Sequence, residues 1–303
     1  MALFLSAEGT LMSSRARSIP WLALLFLSPT LVGLAVFRIV PIVWAFALSF
    51  TRWQIFDKPR WVGFDNYLHI LTSPSAAKVF LNTAWFAAIY VPGSIVLALV
   101  LAVLLNNGLR ISAFFRGAFF LPYITATVAV ALVWKWIFST KFGILNNLLA
   151  WFGVSEPPAW LADPMWSLPA VAIVAIWKDS GFFMLMLLAG LQTIDPIIYE
   201  AARIDGAGRL RQFFEITVPL LSRSLFFVLI LAVIRSTQTF ELTYSLTGGG
   251  PNGASTTLAF FIYENAFVHF QMGYASALAY LLCFAVGLVT LINFYVRKRW
   301  VHE

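Results

Sequence analysis

Cysteine, histidine and charge are all scarce in this chain of 303 residues, and each shortage closes off a class of chemistry. The single cysteine, Cys283, lies inside an apolar run, so it can form no intramolecular disulfide and no thiolate metal cluster. The three histidines, His69, His269 and His302, show neither the HExxH spacing nor a Cys/His pairing. No GxxxxGK[ST] phosphate loop occurs. The one glycine-rich stretch, "LTGGGPNGAST" from Leu246 to Thr256, lacks the lysine that would reach a phosphate and reads as a tight turn stiffened by Pro251. Arg15 and Arg17 precede the first apolar run as in a secretory signal, but no small-x-small cleavage pattern follows before Arg38, so the run reads as a retained helix.

Apolar residues make up 61% of the chain, with 29 Phe and 12 Trp, against 11% charged, which is more apolar surface than one soluble core of this size encloses. A hydrocarbon layer takes about 20 helical residues to cross. Six runs reach that length, near 21–46, 79–105, 119–137, 168–194, 220–242 and 272–296. They are too long, and alternate too little, for strands of a membrane barrel. The fold class is therefore an all-α membrane protein of six transmembrane helices, with a tail over 1–20, one domain over 21–300 and a short tail over 301–303.

With the N-terminus inside, the inner segments carry Arg15, Arg17, Arg110, Arg116, Arg203, Arg209, Arg211, Arg223, Arg297, Lys298 and Arg299. The outer ones carry Arg52, Lys58, Arg60, Lys78, Lys135 and Lys141. Cytoplasmic loops hold the excess of Lys and Arg, so both termini read as cytoplasmic. The net charge of +7 is then mostly topology and gives little support for a nucleic-acid partner.

One compact charged island interrupts the apolar sequence at "EAARIDGAGRLRQFFEITVPL", Glu200 to Leu220. Its punctuation is that of two short helices in a loop over about 195–219. Asp195 caps the first, Pro196 suits its first position and Gly206 ends it, while Leu210, Phe213, Phe214 and Val218 recur at helical spacing in the second. Such a pair needs either a protein partner for its apolar face or a lipid surface with Arg209 and Arg211 near the head groups.

The island resembles the EAA loop of permease subunits of ATP-binding-cassette importers through Glu200, Ala201, Ala202, Asp205, Gly206, Ala207, Phe213, Ile216 and Pro219, with Val218 where the family usually has Leu. "WVGFDNYLHIL" from Trp61, "FFLPYITATVAVALVWKWIF" from Phe119 and "TFELTYSLTGGGP" from Thr239 resemble further segments of the carbohydrate branch, with Glu241 where Asp is usual. The ending "NFYVRKRW" is similar to the permease type related to the larger maltose-transporter permease and the glycerol-phosphate and oligosaccharide permeases. This resemblance implies an importer subunit, not an enzyme, in the inner membrane of a bacterium or archaeon. Its implied partners are a second homologous permease, two ATPase subunits that bind ATP and Mg, and an external solute-binding protein that delivers a carbohydrate. The island would then couple the ATPases to the membrane, and the chain itself would hold no cofactor.

Polar side chains inside membrane helices are costly and suggest a function. The fourth run carries Trp177, Lys178, Asp179 and Ser180; the fifth carries Arg235, Gln238, Thr239, Glu241 and Tyr244; Asn82 and Thr83 begin the second. Asp179 and Arg235 fall roughly 16 and 10 Å below the outer ends of their helices, so they can share a depth. Two readings stand. Asp179 or Glu241 neutralises Lys178 or Arg235 and ties helices together, or Asn82, Asp179, Gln238 and Glu241 bind sugar hydroxyls while Trp177, Phe183 or Tyr244 stacks on a sugar face. Trp134, Trp136, Trp151, Trp160 and Trp166 read as an interfacial belt, or in part as a surface for the binding protein. An ion-coupled secondary transporter would use the buried charges but leave the island idle. A membrane enzyme lacks a paired catalytic constellation.

Overall fold

The computed structural model describes residues 19–106 and 112–300. The basic residues Arg15, Arg17 and Arg110, His302 and the two extreme tails lie outside the described residues. The chain is almost wholly helical. Helix α1 (Ile19–Leu34) runs through a π-helical turn, Ala35–Ile39, into α2 (Val40–Ser49). A two-stranded antiparallel ribbon, β1 (Thr51–Arg52) with β2 (Arg60–Trp61), leads to α3 (Asp65–Thr72) and the long α4 (Pro74–Leu105). Next come α5 (Ser112–Ile124), α6 (Thr127–Ile137), α7 (Ile144–Trp151) and α8 (Ser167–Leu191). The charged island forms α9 (Pro196–Ile204), α10 (Arg209–Gln212), a π-helical turn at Phe213–Thr217 and α11 (Val218–Leu220). Helices α12 (Ser222–Thr237), α13 (Glu241–Leu246), α14 (Leu258–Tyr263) and α15 (Met272–Trp300) complete it.

Four helical stretches are long and apolar enough to cross a membrane: 23–49, α4, α8 and 272–295. Two further candidates are bent pairs, α5 with α6 at 97° and the 209–220 segment with α12 at 69°. The third apolar run, expected as one helix over 119–137, is therefore broken. Ala126 takes an extended ψ of 127°, and the Thr125 hydroxyl donates to the Leu121 carbonyl at 2.8 Å, satisfying a group the break exposes. The fifth run, expected to reach 242, stops at Thr237. Glu241 and Tyr244 belong to the separate short helix α13, so they do not continue the span.

Helix α8 sits at the centre, and the reason is in its sequence. Ala170, Ala172, Ala175, Ser180 and Gly181 are buried on it, and small residues let neighbouring backbones approach where no water-driven hydrophobic force acts between helices. Against α4 it packs Val171, Val174, Phe183 and Met184 around Phe86 and Tyr90, all fully or almost fully buried. By contrast, none of the most apolar window of 23–49 is buried, and Trp21 and Phe37 are exposed. In a chain of this composition that surface faces lipid or another apolar partner.

A Cβ at Gly181 would lie 1.8 Å from the Phe119 carbonyl oxygen, so α5 and α8 meet backbone to backbone. Gly181→Val has no flexible neighbour to displace. Its overpacking cost is expected to reach at least ~1–3 kcal/mol, seen as a lowered melting temperature of the purified complex in detergent. An unchanged melting temperature would show that this crossing does not hold the two helices.

Candidate transport cavity and coupling loop

The break between α5 and α6 places Tyr123 at the end of a helix, beside the middle of α8 and the end of α12. Three cationic and aromatic contacts converge there. Arg235 donates to the Tyr123 hydroxyl at 2.7 Å and lies 3.4 Å from Asp179, while Lys178 donates to the Tyr123 backbone carbonyl at 3.0 Å. The Tyr123 ring stacks on Phe182 at 4.5 Å, and the Arg235 guanidinium lies over both rings at 5.0 and 5.2 Å. The second Asp179 oxygen accepts a hydrogen bond from the Tyr90 hydroxyl on α4. The buried Lys178 and the half-buried Asp179 and Arg235 thus each have a partner of opposite sign, a π face or a carbonyl dipole, which offsets the cost of drawing them out of water.

Above this cluster opens a cavity of about 520 Å³ whose polar lining includes Thr127, Lys178, Asp179, Arg235, Gln238 and Glu241. A second hollow of about 510 Å³ shares Thr127, Lys178, Phe240 and Glu241 with it and extends the space to Tyr123, Tyr244 and Ser245. The space is large enough for a small ligand. Glu241 differs from Asp179: it is exposed and makes no ion pair or side-chain hydrogen bond among the described residues, so its oxygens are free to accept from a ligand.

The residues expected to line a pathway therefore separate. Asp179, Gln238, Glu241 and Tyr244 come together around this space. Phe183 does not; it is fully buried in the packing of α8 against α4, where no ligand reaches it. Trp177 lies outside both linings, half exposed and edge-on to Trp134 at 5.4 Å. Asn82 serves the glycine-rich segment instead, donating to the carbonyls of Gly253 at 2.9 Å and Thr256 at 3.1 Å, while Lys78 donates to Asn252 at 2.7 Å. Tyr90, Tyr123 and Thr127 escaped the sequence reading. The available signal was a phenol in mid-span beside a proline, at Tyr90 before Pro92 and at Tyr123 after Pro122.

On the charged island, Asp195 accepts from the Ile197 backbone N–H at 2.9 Å with Pro196 behind it, a satisfied N-cap. Gly206 closes α9 at φ +78°. Its N–H reaches the Arg203 carbonyl at 3.1 Å and the Ala207 N–H reaches Ala202 at 2.8 Å, the paired bonds of a Schellman ending. The turn is locked from the other side by Gln212, which donates to the Ala207 carbonyl at 2.7 Å, and by Tyr199 against Thr217 at 3.0 Å. The outer surface carries Glu200, Ala201 and Asp205 together with Ile197, Ile204, Leu210 and Phe214, all exposed. Phe213 and Pro219 are half buried where the island joins α12.

A helical membrane protein with a charge-lined cavity between broken helices and a capped, partly apolar helix pair leading into a bent span has the build of a transport subunit. Residues 94–300 match the family of binding-protein-dependent transport system inner membrane components, and the chain belongs to that family. It is 36% identical over 260 residues to the sulfoquinovosyl glycerol transport system permease protein SmoG of Agrobacterium fabrum, covering 85% of this chain and 84% of the relative. It is 35% identical over 254 residues to the trehalose/maltose transport system permease protein MalF of Thermococcus litoralis, covering 83% and 84%. A chain of the crystal structure of a bacterial alginate ABC transporter, bound to its alginate-loaded periplasmic protein, shares the fold at a TM-score of 0.81 and 22% identity, over 94% of this chain and 96% of that one.

Asp179→Asn leaves the half-buried Arg235 facing a neutral group and is expected to lower transport strongly, at a cost of about 1 kcal/mol, the lower end for a poorly partnered donor because the guanidinium is part-exposed and keeps the Tyr123 hydroxyl. Adding Arg235→Gln is expected to restore part of it, measured at matched membrane levels against both single variants. Normal transport by Asp179→Asn alone would remove the pair from the account.

Proposed function

We propose that this chain is the membrane subunit of an ATP-driven importer and forms one half of the pathway for a neutral sugar or oligosaccharide. The other half is a second, homologous permease; an external binding protein delivers the ligand; two ATPase subunits, which hold ATP and Mg, bind α9–α11. The setting is the cytoplasmic membrane of a bacterium or archaeon, with six spans and both termini inside. The observation that carries the reading is the joint presence of a polar, charge-balanced cavity and a capped, partly apolar handle in one chain. Relatives are named for trehalose/maltose, which is neutral, and for sulfoquinovosyl glycerol, which carries a sulfonate; together they support a carbohydrate, and the preference for a neutral one rests on the cavity.

The charges favour a neutral ligand. Lys178 and Arg235 are opposed by Asp179 and Glu241, and Arg235 already spends its guanidinium on Asp179 and Tyr123. An anion is ordinarily met by an arginine fork left free to bind it bidentately. Hydroxyls suit the free Glu241 carboxylate and the Gln238 amide, and the exposed Tyr244 ring offers an apolar sugar face a surface.

Coupling follows from continuity of backbone. The handle runs through the Phe213–Thr217 turn and α11, bends at Leu221 and enters α12, whose last turn carries Arg235. A helix of that length is a lever of about 24 Å. Displacing the handle as the ATPases close therefore moves Arg235 against Asp179, and with it the wall of the cavity.

Gly206 tests this. A side chain there meets nothing within 4 Å, so Gly206→Val acts only through the left-handed backbone, at about 1–3 kcal/mol of strain. The variant is expected to insert normally but to lose sugar-stimulated ATP hydrolysis and transport together, or to lose its ATPase partner on purification. Wild-type transport with intact stimulation would show that the handle is not the coupling element.

A further inference from the structure

Helix α7 carries apolar side chains on its exposed side as well as on the side that packs on the core. On its inner side Leu145 and Leu149 pack against the core, and beside them Asn146 is buried, donates to the Pro158 carbonyl at 3.3 Å and accepts from the Trp160 indole at 2.7 Å. Its outward stripe is apolar. Ile144, Leu148 and Trp151 repeat at the i, i+4, i+7 spacing of one helical face, all exposed, and Phe152 extends the stripe with 83% of its surface uncovered.

Two observations say what covers that stripe. The first is its level. A Cβ on Gly143 would lie 2.4 Å from the Ile137 carbonyl and 2.3 Å from that of Ser139, so the chain folds back hard on the end of α6 and starts α7 there. Trp160, under Asn146, stacks on Phe138 at the same helix end at 5.6 Å. Because α6 is the terminal half of a candidate span, α7 is held at the edge of the hydrocarbon layer. The second is charge. Lys135 and Lys141 flank the start of α7, both exposed and neither in an ion pair among the described residues, and the helix itself carries no acidic residue, the first one after it being Glu156.

We propose that α7 is a lipid-interface anchor: the Ile144–Leu148–Trp151 stripe, with Phe152, lies in the boundary between acyl chains and head groups, and Lys135 and Lys141 contact anionic head groups. An apolar helical face carrying tryptophan, flanked by lysine and fixed at the end of a span, is the chemistry of that boundary. The anchor would fix the depth of the α5–α6 break, and so of Tyr123, relative to the bilayer. It rests on the membrane reading of the chain and not on the sugar assignment.

The test uses the whole transporter complex in bilayers with Cys283 replaced by Ala and one nitroxide-labelled cysteine at a time. The sites are Ile144, Leu148 and Trp151, with Ser155 in the polar part of the same loop as reference. The expected result is an oxygen-to-nickel collision ratio several-fold higher at the three stripe positions than at Ser155. It should rise further when anionic lipid replaces neutral lipid and lose that rise in Lys135→Gln/Lys141→Gln. A ratio at the stripe equal to that at Ser155 would mean water covers it. Protection from both reagents, or protection that appears only with the binding protein, would mean a protein covers it. Either result overturns the anchor, and indifference to anionic lipid overturns the head-group contact.

Discussion

A charge held away from water must have its counter-charge built beside it, and in this molecule that requirement organises four helices at once. Arg235 is carried by α12, Asp179 by α8 and the phenols that complete the pair by α4 and α5. Any displacement of one of these elements must exchange or strain a polar pairing in a region of low dielectric, so a movement of α12 is felt at once by the other three. The tight crossings agree with this. Gly93 on α4 admits the Ile176 side chain, Gly181 admits the backbone of α5, and Gly190 admits Ser224 at the start of α12. Close approach and paired polarity together replace the water-driven force that would hold helices of a soluble protein.

The same requirement explains why the polar cluster lies at breaks. In an unbroken α5–α6 helix the Tyr123 carbonyl would be taken by the N–H of Thr127 and would not be free for Lys178. At the break the Tyr123 carbonyl is available and is used by Lys178. Irregular backbone at this depth is tolerated where it lines a cavity, and here Thr125 to Thr127 does so. The segment after α12 obeys the same rule. Thr83 accepts from the Leu258 N–H at 2.8 Å and Thr257 donates to the Thr239 carbonyl at 2.7 Å, so the return from α13 to α14 leaves its backbone paired.

Much of this was legible in the sequence because lipid imposes a simple length code. The long apolar runs, the caps around Asp195 and Gly206 and the shared depth of Asp179 and Arg235 follow from rise per residue and local turn chemistry. The breaks at Ala126 and Gln238 were not placed because no proline or glycine stands at either position; the signals present were weaker, Pro122 and two threonines around the first and the polar run Arg235 to Thr239 across the second. Phe183 and Asn82 were misplaced for a related reason. Periodicity gives the depth of a residue on its helix but not which neighbour that face meets. Phe183 turns to α4, and Asn82 turns to the glycine-rich loop more than 170 residues away along the chain.

On the proposed function, Lys178, Asp179, Arg235 and Glu241 balance in formal charge, Arg235 is spent on Asp179, and the cavity takes an uncharged, hydroxyl-rich ligand. The most direct measurement of that claim is ATP-driven uptake by the complete transporter in proteoliposomes, comparing a neutral oligosaccharide bound by the partner binding protein with an oxidised form of the same size carrying one uronate. The account predicts accumulation of the neutral sugar and poor accumulation of the uronate, with the preference kept in Arg235→Lys variants that still assemble. Preferred uptake of the acid, lost when Arg235 is replaced, would show that the arginine grips the substrate and would contradict the account.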